Sequence, residues 1–172
     1  MEQVAAAPRQ RAPALAFEAL YRGCRDDVYA YVAGLLRDRH AAEDVTALAF
    51  ERAYRRRRRF DPRRGSGRAW VFGIARNAAL DELRRRRRSA VLAADPEDAG
   101  AMSPGDDAET TVRRAALRSA MKRLDLRERE LIALRFFAGL SHAEIAEVLG
   151  ISASNAGTRL HRAVDKLRSE MR

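Results

Sequence analysis

Apolar residues recur every three or four positions in the first part of the chain, which is the spacing of one face of an α-helix. Between Phe17 and Leu35 they form a single stripe, which predicts one long amphipathic helix. A second helix is predicted from about Ala41 through AAEDVTALAFERAYRRR, and the last from about Arg68 to Arg88. The intervening FDPRRGSG contains a proline and two glycines, which interrupt regular structure. We expect about four helices in this part of the chain.

The second part of the chain places helix-starting and helix-ending residues at short intervals. From about Val112 to Met171 the apolar spacing is again that of helices. Ser141 followed by Glu144 is the pattern of a capping box, in which each side chain accepts a hydrogen bond from the backbone of the other residue. Gly150 then makes a turn into a further helix near Ser152. Two helices joined by a glycine-containing turn predict a helix-turn-helix.

The segment between these two parts has a different composition. Ser89 to Thr111 contains six acidic residues, no basic residue, two prolines and two glycines. Such a segment buries little apolar surface, so we interpret it as a flexible linker between two small helical domains of an all-α protein. The predicted parts are a disordered leader at 1–14, a first domain at 15–88, the acidic linker at 89–111 and a second domain at 112–172.

The net charge of +10 is concentrated in one segment of the sequence. Seventeen arginines and seven acidic residues lie between Arg37 and Arg88, so this segment carries the whole excess. A positive patch of this kind favours an anionic partner, such as nucleic acid or an acidic membrane surface. An arginine-rich composition can also serve solubility alone.

Several classes of protein are disfavoured by the sequence. Cys24 is the only cysteine, which excludes an internal disulfide and a CxxC zinc site. The histidines lack the spacing of metal ligands, and no Ser/His/Asp or phosphate-loop pattern occurs. No apolar run approaches the ~20 residues of a membrane span, and the first residues lack a signal-peptide core. We expect a cytoplasmic protein that is not an enzyme and has no cofactor, metal, small-molecule substrate or membrane insertion.

The helix that follows Gly150 divides into two faces on a helical wheel. Serine, threonine and arginine side chains on its polar face can contact base edges in a major groove, while Arg159 and Lys166 on the flanks suit phosphates. The polar face could equally be the solvated side of an ordinary helical bundle. The buried stripe comprises Ala156, Leu160, Ala163 and Leu167. The opposite, polar face comprises Ser154, Thr158, His161 and Arg162.

Three stretches of the sequence resemble regions 2 and 4 of the extracytoplasmic-function (ECF, group 4) RNA polymerase sigma factors of the sigma-70 family. They are AEDVTALAFERAYRR, FDPRRGSGRAWVFGIARNAALDELRRRRR and, after the linker, LDLRERELIALRFFAGLSHAEIAEVLGISASNAGTRLHRAVDKLR. The resemblance covers about residues 15–88 and 112–169. It implies a non-catalytic protein of two helical domains that binds RNA polymerase core and directs promoter-specific transcription initiation. It also implies regulation by an anti-sigma factor, which could hold the protein at the membrane.

The resemblance also implies roles for individual residues. In this family the helix with the AED motif docks on the clamp coiled coil of the largest polymerase subunit. The expected polymerase-binding residues here are Glu43, Asp44, Leu48, Phe50, Glu51 and Tyr54. Region 2 opens promoter DNA near the minus-ten element, and the expected contacts to that element are Arg63, Arg64, Trp70, Arg76, Asn77, Asp81, Arg84, Arg85 and Arg88. Region 4 binds the minus-thirty-five element, and the expected contacts there are Ser154, Asn155, Gly157, Thr158, Arg159, His161, Arg162 and Lys166. Trp70 also fits the domain core, because Ile74 lies four residues further on.

Two other functions agree with parts of the sequence. A stand-alone transcriptional regulator would bind operator duplex through the second domain and use the first for dimerisation or for a ligand. An RNA-binding protein would use the arginine blocks, although no RNP, KH or double-stranded-RNA motif is present. A pull-down with core polymerase distinguishes a sigma factor from both.

Overall fold

The computed structural model describes residues 16–90 and 108–171, and all regular structure in these two ranges is helical. The all-α prediction is confirmed. Short 3-10 turns at Arg57–Arg59 and Pro62–Arg64 connect the second helix to the third, and a π-helical turn at Ala133–Phe137 follows the fifth. The α-helices are α1 (Phe17–Leu36), α2 (Arg39–Arg56), α3 (Gly67–Ala90), α4 (Ala108–Arg123), α5 (Leu126–Ile132), α6 (His142–Leu149) and α7 (Ala153–Glu170).

Helices α1, α2 and α3 pack on one another to form the first domain. Its centre contains the edge-to-face pair Tyr31 and Phe72, whose ring centroids are 5.6 Å apart. Both side chains are fully buried, so this pair joins α1 to α3. Helix α2 begins slightly before the predicted Ala41, because Asp38 caps it by accepting a hydrogen bond from the Ala41 backbone N–H at 3.0 Å.

The predicted boundaries of the first domain and the linker need correction. The described part of the first domain has three α-helices and two 3-10 turns where we expected about four helices. Helix α3 continues to Ala90 and α4 begins at Ala108, so both ends of the predicted linker are helical. The composition of these ends permits this, since Ala90 and Ala108 are strong helix formers and Glu109 suits a helix N-terminus. The predicted leader and residues 91–107 lie outside the described residues.

Helices α4 to α7 form the second domain, with Leu134, Leu140 and Ile145 fully buried at its centre. Two positions with positive φ allow the tight changes of direction on either side of α6. Gly139 has a φ of 65° before α6, and Gly150 has a φ of 66° after it. Glycine adopts this left-handed conformation without steric cost.

The two domains are packed against each other and share one continuous buried core. Helix α6 lies against α3, and the π-helical turn lies against α1. The Phe137 ring sits directly on Gly34, where a Cβ atom would come within 2.8 Å of the ring. A larger residue at position 34 would therefore push the two domains apart.

Candidate DNA-binding and polymerase-binding surfaces

The helix-turn-helix is built from α6, the Gly150 turn and α7. The capping box predicted at its start is present: the Ser141 hydroxyl accepts a hydrogen bond from the Glu144 backbone N–H at 3.2 Å, and the Glu144 carboxylate accepts one from the Ser141 backbone at 2.9 Å. Although burial opposes ionisation of Glu144, hydrogen bonds from Ser141 and Ser66 hold the pKa of this carboxyl below its ordinary value. Ser152 caps α7 through the Asn155 backbone N–H at 3.2 Å. These caps fix the angle at which α7 leaves the turn.

The two faces of α7 divide as the helical wheel predicts, except that Leu167 of the predicted buried stripe is only partly buried. Ala156, Leu160 and Ala163 are buried, whereas Ser154, Thr158, His161 and Arg162 are exposed. Within the described residues, neither Arg159 nor Arg162 is held in an ion pair. Their guanidinium groups are thus available to an external acceptor. Gly157 leaves this face flat, and a Cβ atom there would meet His142 of α6 at 3.6 Å.

Lys166, which we assigned to phosphates, is held by its own domain in this structure. Its ammonium group donates a hydrogen bond to Glu128 of α5 at 2.7 Å, and this bond raises the pKa of Lys166 above its ordinary value. His161 has a similar contact with Asp165, four residues further along α7, at 2.9 Å. The Lys166–Glu128 contact is partly buried, whereas the His161–Asp165 contact is exposed to solvent, where such a pair contributes little. A phosphate at Lys166 would compete with Glu128 for the same ammonium group.

The predicted minus-ten face of α3 is exposed from Asn77 to Arg88. Arg84 lies 3.2 Å from Asp81, which is also 3.7 Å from Arg52 of α2. Asp81 therefore joins a surface charge network. Arg85 makes an ion pair with Glu82 at 2.8 Å. The exposed members of this face are Asn77, Asp81, Arg84, Arg85 and Arg88.

A pocket of about 400 Å³ lies where the loop before α3 meets the first turns of that helix. We call it the loop pocket. Trp70 is partly buried in its wall and packs against Phe60 with ring centroids 5.3 Å apart, so one residue contributes to the core and also faces the pocket. Arg63 is exposed on the neighbouring 3-10 turn and does not line the pocket. The lining residues are Arg59, Phe60, Asp61, Arg64, Gly65, Ser66, Ala69, Trp70, Gly73, Ile74, Asn77, Glu147 and Val148.

Arg76, which we assigned to the minus-ten surface, points instead into the contact between the domains. Its Nε donates a hydrogen bond to Glu130 of α5 at 2.5 Å. The Glu130 side chain is only 6% exposed. Burial raises the pKa of Tyr31 well above its ordinary value, so its phenol keeps the proton that it donates to Glu130 at 3.4 Å. Arg76 is thus held in a partly buried contact between the domains and lies off the exposed face of α3 that carries the other predicted minus-ten residues.

Helix α2 presents an exposed face that combines acidic and apolar side chains. Leu48 is 37% exposed and Tyr54 is 51% exposed, which is high for large apolar residues. Glu43 and Glu51 are exposed, and each pairs with an arginine one turn away on the same helix, at 3.1 Å and 2.5 Å respectively. Asp44 is exposed as well. A partner could bury the apolar residues within a rim of acidic groups.

Phe50 does not belong to this exposed face. It is 6% exposed and packs edge-to-face on Tyr21 of α1, with ring centroids 4.8 Å apart. The resemblance placed Phe50 together with Tyr54 among the docking residues, but α1 covers the Phe50 ring. Tyr21, which is 37% exposed, takes its place at the surface. The sequence pattern of α1 placed Tyr21 in the apolar stripe and gave no sign that it lies at the edge of that stripe.

Comparison with known proteins matches both domains to one family. Residues 20–89 match Sigma-70 region 2, and residues 114–167 match Sigma-70, region 4. The ECF RNA polymerase sigma factor SigL of Mycobacterium tuberculosis is 32% identical over 158 residues, which are 91% of this chain and 89% of SigL. The chain belongs to the ECF RNA polymerase sigma factors. As such it serves transcription initiation by RNA polymerase and is not a stand-alone regulator.

One further relative is longer than this sigma factor, and two solved structures match it over most of its length. The ECF sigma factor BldN of Streptomyces coelicolor is 36% identical over 161 residues, which cover 92% of this chain but 61% of BldN. Among solved structures, the sigma factor RpoE of Bartonella quintana, in complex with the anti-sigma factor NepR, matches with a TM-score of 0.75 and 22% identity over 90% of this chain and 96% of RpoE. CnrH, in complex with the cytosolic domain of CnrY, matches with a TM-score of 0.60 and 30% identity over 89% of this chain and 85% of CnrH.

In the described part of the chain, none of the helices combines the length and the apolar character of a membrane span. No group of three or more His, Cys, Asp or Glu side chains in residues 16–90 and 108–171 is arranged to hold a metal ion.

Proposed function

We propose that this sigma factor uses three separate surfaces for the three tasks of initiation. The acidic and apolar face of α2 docks on the clamp coiled coil of the largest polymerase subunit. The basic face of α3 and the loop pocket hold the unpaired strand at the minus-ten element, and α7 binds the minus-thirty-five duplex. The exposed α2 face carries this proposal, because it offers polymerase a docking surface that is separate from both proposed DNA-binding surfaces.

The minus-ten surface supplies what capture of an unpaired strand requires. Unpairing a base costs a few kcal/mol, which contacts to the extruded base and its backbone must offset. The loop pocket combines an aromatic wall at Trp70, an amide at Asn77 and a guanidinium group at Arg64. Stacking and phosphate neutralisation of this kind hold a single strand with little dependence on sequence. The arginine block at the end of α3 extends the positive surface along the strand.

The minus-thirty-five surface is suited to reading duplex DNA. The exposed polar residues near the start of α7 would contact base edges, as in other helix-turn-helix proteins. Arg162 can donate two hydrogen bonds to a guanine, while Arg159 at the flank can bind a phosphate. Phosphate contacts fix the position of α7, and base contacts select the sequence.

We further propose a cytoplasmic site of action, together with polymerase, and no catalytic activity of the chain's own. A regulatory anti-sigma factor is proposed as well, by analogy with RpoE and CnrH, whose structures contain NepR and the cytosolic domain of CnrY. Such a partner would compete with polymerase or DNA for the surfaces described.

The docking proposal is tested by measuring affinity for core polymerase after the substitution Leu48→Arg. A cation placed in the apolar centre of the α2 face should weaken binding about tenfold or more, since hot-spot residues contribute about 2 kcal/mol or more. The matched control is Val112→Arg on α4, an apolar residue that is 68% exposed. Equal affinity of both variants and the unaltered chain for core would contradict docking through α2.

A further inference from the structure

A cavity of about 510 Å³ lies between α5 and α7, separate from the loop pocket. We call it the α5–α7 cavity. Its walls come from α5, α7, the end of α6 and the turn after it, and the first domain contributes only Arg76 of α3. The cavity is thus essentially a feature of the second domain. Its volume lies within the ~300–1,000 Å³ of small-molecule sites.

Arginine side chains dominate the charge of this cavity. Four of them line it, together with two glutamates. Both glutamates already have a cationic partner, since Glu130 lies 2.5 Å from Arg76 and Glu128 lies 2.7 Å from Lys166. The other three arginines form no hydrogen bond or ion pair with any described residue. We call them the unpaired arginines: Arg127, Arg159 and Arg162.

The unpaired arginines favour a ligand with several negative charges. Like charges around one concave surface repel one another and raise the local positive potential. A guanidinium group is planar and donates paired hydrogen bonds that match the oxygens of a phosphate. Three such groups around one cavity therefore suit a chain of two or more phosphates better than a single small anion.

The cavity also has an apolar surface, which a phosphate chain alone would leave uncovered. Leu131 is 5% exposed, and Leu149 and Ile151 are partly buried against the core. We call these three residues the apolar floor. An aromatic base can pack on such side chains, and it can also stack on the plane of a guanidinium group. A phosphate chain joined to a base is the structure of a nucleotide.

Duplex DNA alone does not account for the cavity. Ser154, Thr158 and His161, on the polar face of α7, do not line it. Only Arg159 and Arg162 belong both to the cavity and to the proposed minus-thirty-five surface. The bases of a duplex are stacked inside it, so they do not reach the apolar floor.

We propose that the α5–α7 cavity binds a nucleoside di- or triphosphate, whose phosphates contact the unpaired arginines and whose base packs on the apolar floor. Because Arg159 and Arg162 cannot hold the ligand and DNA at once, the bound nucleotide competes with the minus-thirty-five duplex. That competition rests on the role proposed above for these two arginines, whereas binding of the nucleotide does not.

Isothermal titration calorimetry on the full-length chain tests the site. The probes are ATP, GTP and inorganic tripolyphosphate, which has the phosphate chain of the nucleotides without a base. Arg127→Gln removes the one unpaired arginine that has no proposed DNA or polymerase contact. The control is Arg118→Gln on α4, an exposed arginine outside the cavity that has no partner among the described residues. Circular dichroism verifies that both variants are folded.

We expect at least one of the two nucleotides to bind about tenfold more tightly than tripolyphosphate, because only a nucleotide covers the apolar floor. Arg127→Gln should weaken nucleotide binding about tenfold, since a hydrogen bond between charged groups is lost, and Arg118→Gln should not. No binding of either nucleotide, or equally tight binding of tripolyphosphate, would contradict a nucleotide site. Equal weakening by both variants would reduce the attraction to net charge and refute the site as well.

A second measurement tests the competition with DNA. Holoenzymes with the unaltered chain and with Arg127→Gln are compared by the ratio of their affinities for the upstream duplex with and without the nucleotide. At ten times the Kd of the unaltered chain, the nucleotide should weaken duplex binding about tenfold for the unaltered chain and about twofold for Arg127→Gln. An equal effect on both would place it on polymerase and refute the competition. No effect on either, despite calorimetric binding, would instead contradict the proposed DNA contacts of Arg159 and Arg162.

Discussion

Arg162→Ala tests the base contact that we propose for α7. Arg162 is exposed on α7 and forms no ion pair with any described residue. Its loss therefore breaks no internal contact, and we expect the free energy of unfolding to change by less than about 0.5 kcal/mol. A bidentate contact to guanine contributes about 1–3 kcal/mol of discrimination, so affinity for the preferred duplex should fall about 5- to 150-fold.

The assay is equilibrium binding of the polymerase holoenzyme to duplex DNA that the unaltered holoenzyme has selected from a random library. Single-base changes across the upstream element then show where Arg162→Ala flattens the preference. Arg168→Ala on the same helix is the control, because Arg168 is 74% exposed and lies 3.5 Å from Asp165. An equal loss on every duplex, with preference unchanged, would refute base reading and make Arg162 a phosphate contact.

The remaining predictions concern the docking face, the core and one helix cap. Asp44→Arg on α2 should lower affinity for core polymerase about tenfold with an unchanged circular dichroism spectrum; lost helix content would make Asp44 structural instead. Phe72→Ala should cost about 3–5 kcal/mol in denaturant unfolding because Phe72 is fully buried, whereas Phe136→Ala, at a 60% exposed ring, should cost far less. Asp38→Ala should cost about 1 kcal/mol at pH 7. The hydrogen bond from the Ala41 backbone and the nearby Arg86 lower the pKa of Asp38. The free energy of unfolding of the unaltered chain should therefore exceed that of Asp38→Ala by the full amount above the ordinary carboxyl pKa of ~3.9, and this excess should disappear as pH falls through the lowered pKa of Asp38. An excess that does not change with pH would contradict this.

The parts of the structure that depend on neighbouring residues in sequence could be predicted. The capping box at Ser141 and Glu144, the left-handed Gly150 and the buried stripe of α7 all follow from short-range rules of helix geometry, and all are present. The ends of α3 and α4 were harder to place. Acidic residues and prolines indicated a linker, but helix formers at its margins extend both helices into it.

The parts that depend on contacts between distant residues could not be predicted. Arg76 and Glu130 are far apart in sequence, and only the packing of the two domains brings them together. A helical wheel shows which side of α3 carries Arg76 but not what covers that side. Phe50 was misplaced for the same reason, since the position of α1 decides which aromatic of α2 stays exposed.

Run-off transcription with purified core polymerase tests the central claim most directly. Core is incubated with genomic DNA fragments, with and without the full-length chain, and the transcripts are sequenced. We predict that the chain creates new transcripts with defined starts and a shared upstream sequence, and that at a limiting concentration of the chain Leu48→Arg lowers their yield while Val112→Arg does not. Unchanged transcripts in the presence of the chain, together with tight binding of duplex DNA by the chain alone, would contradict the account.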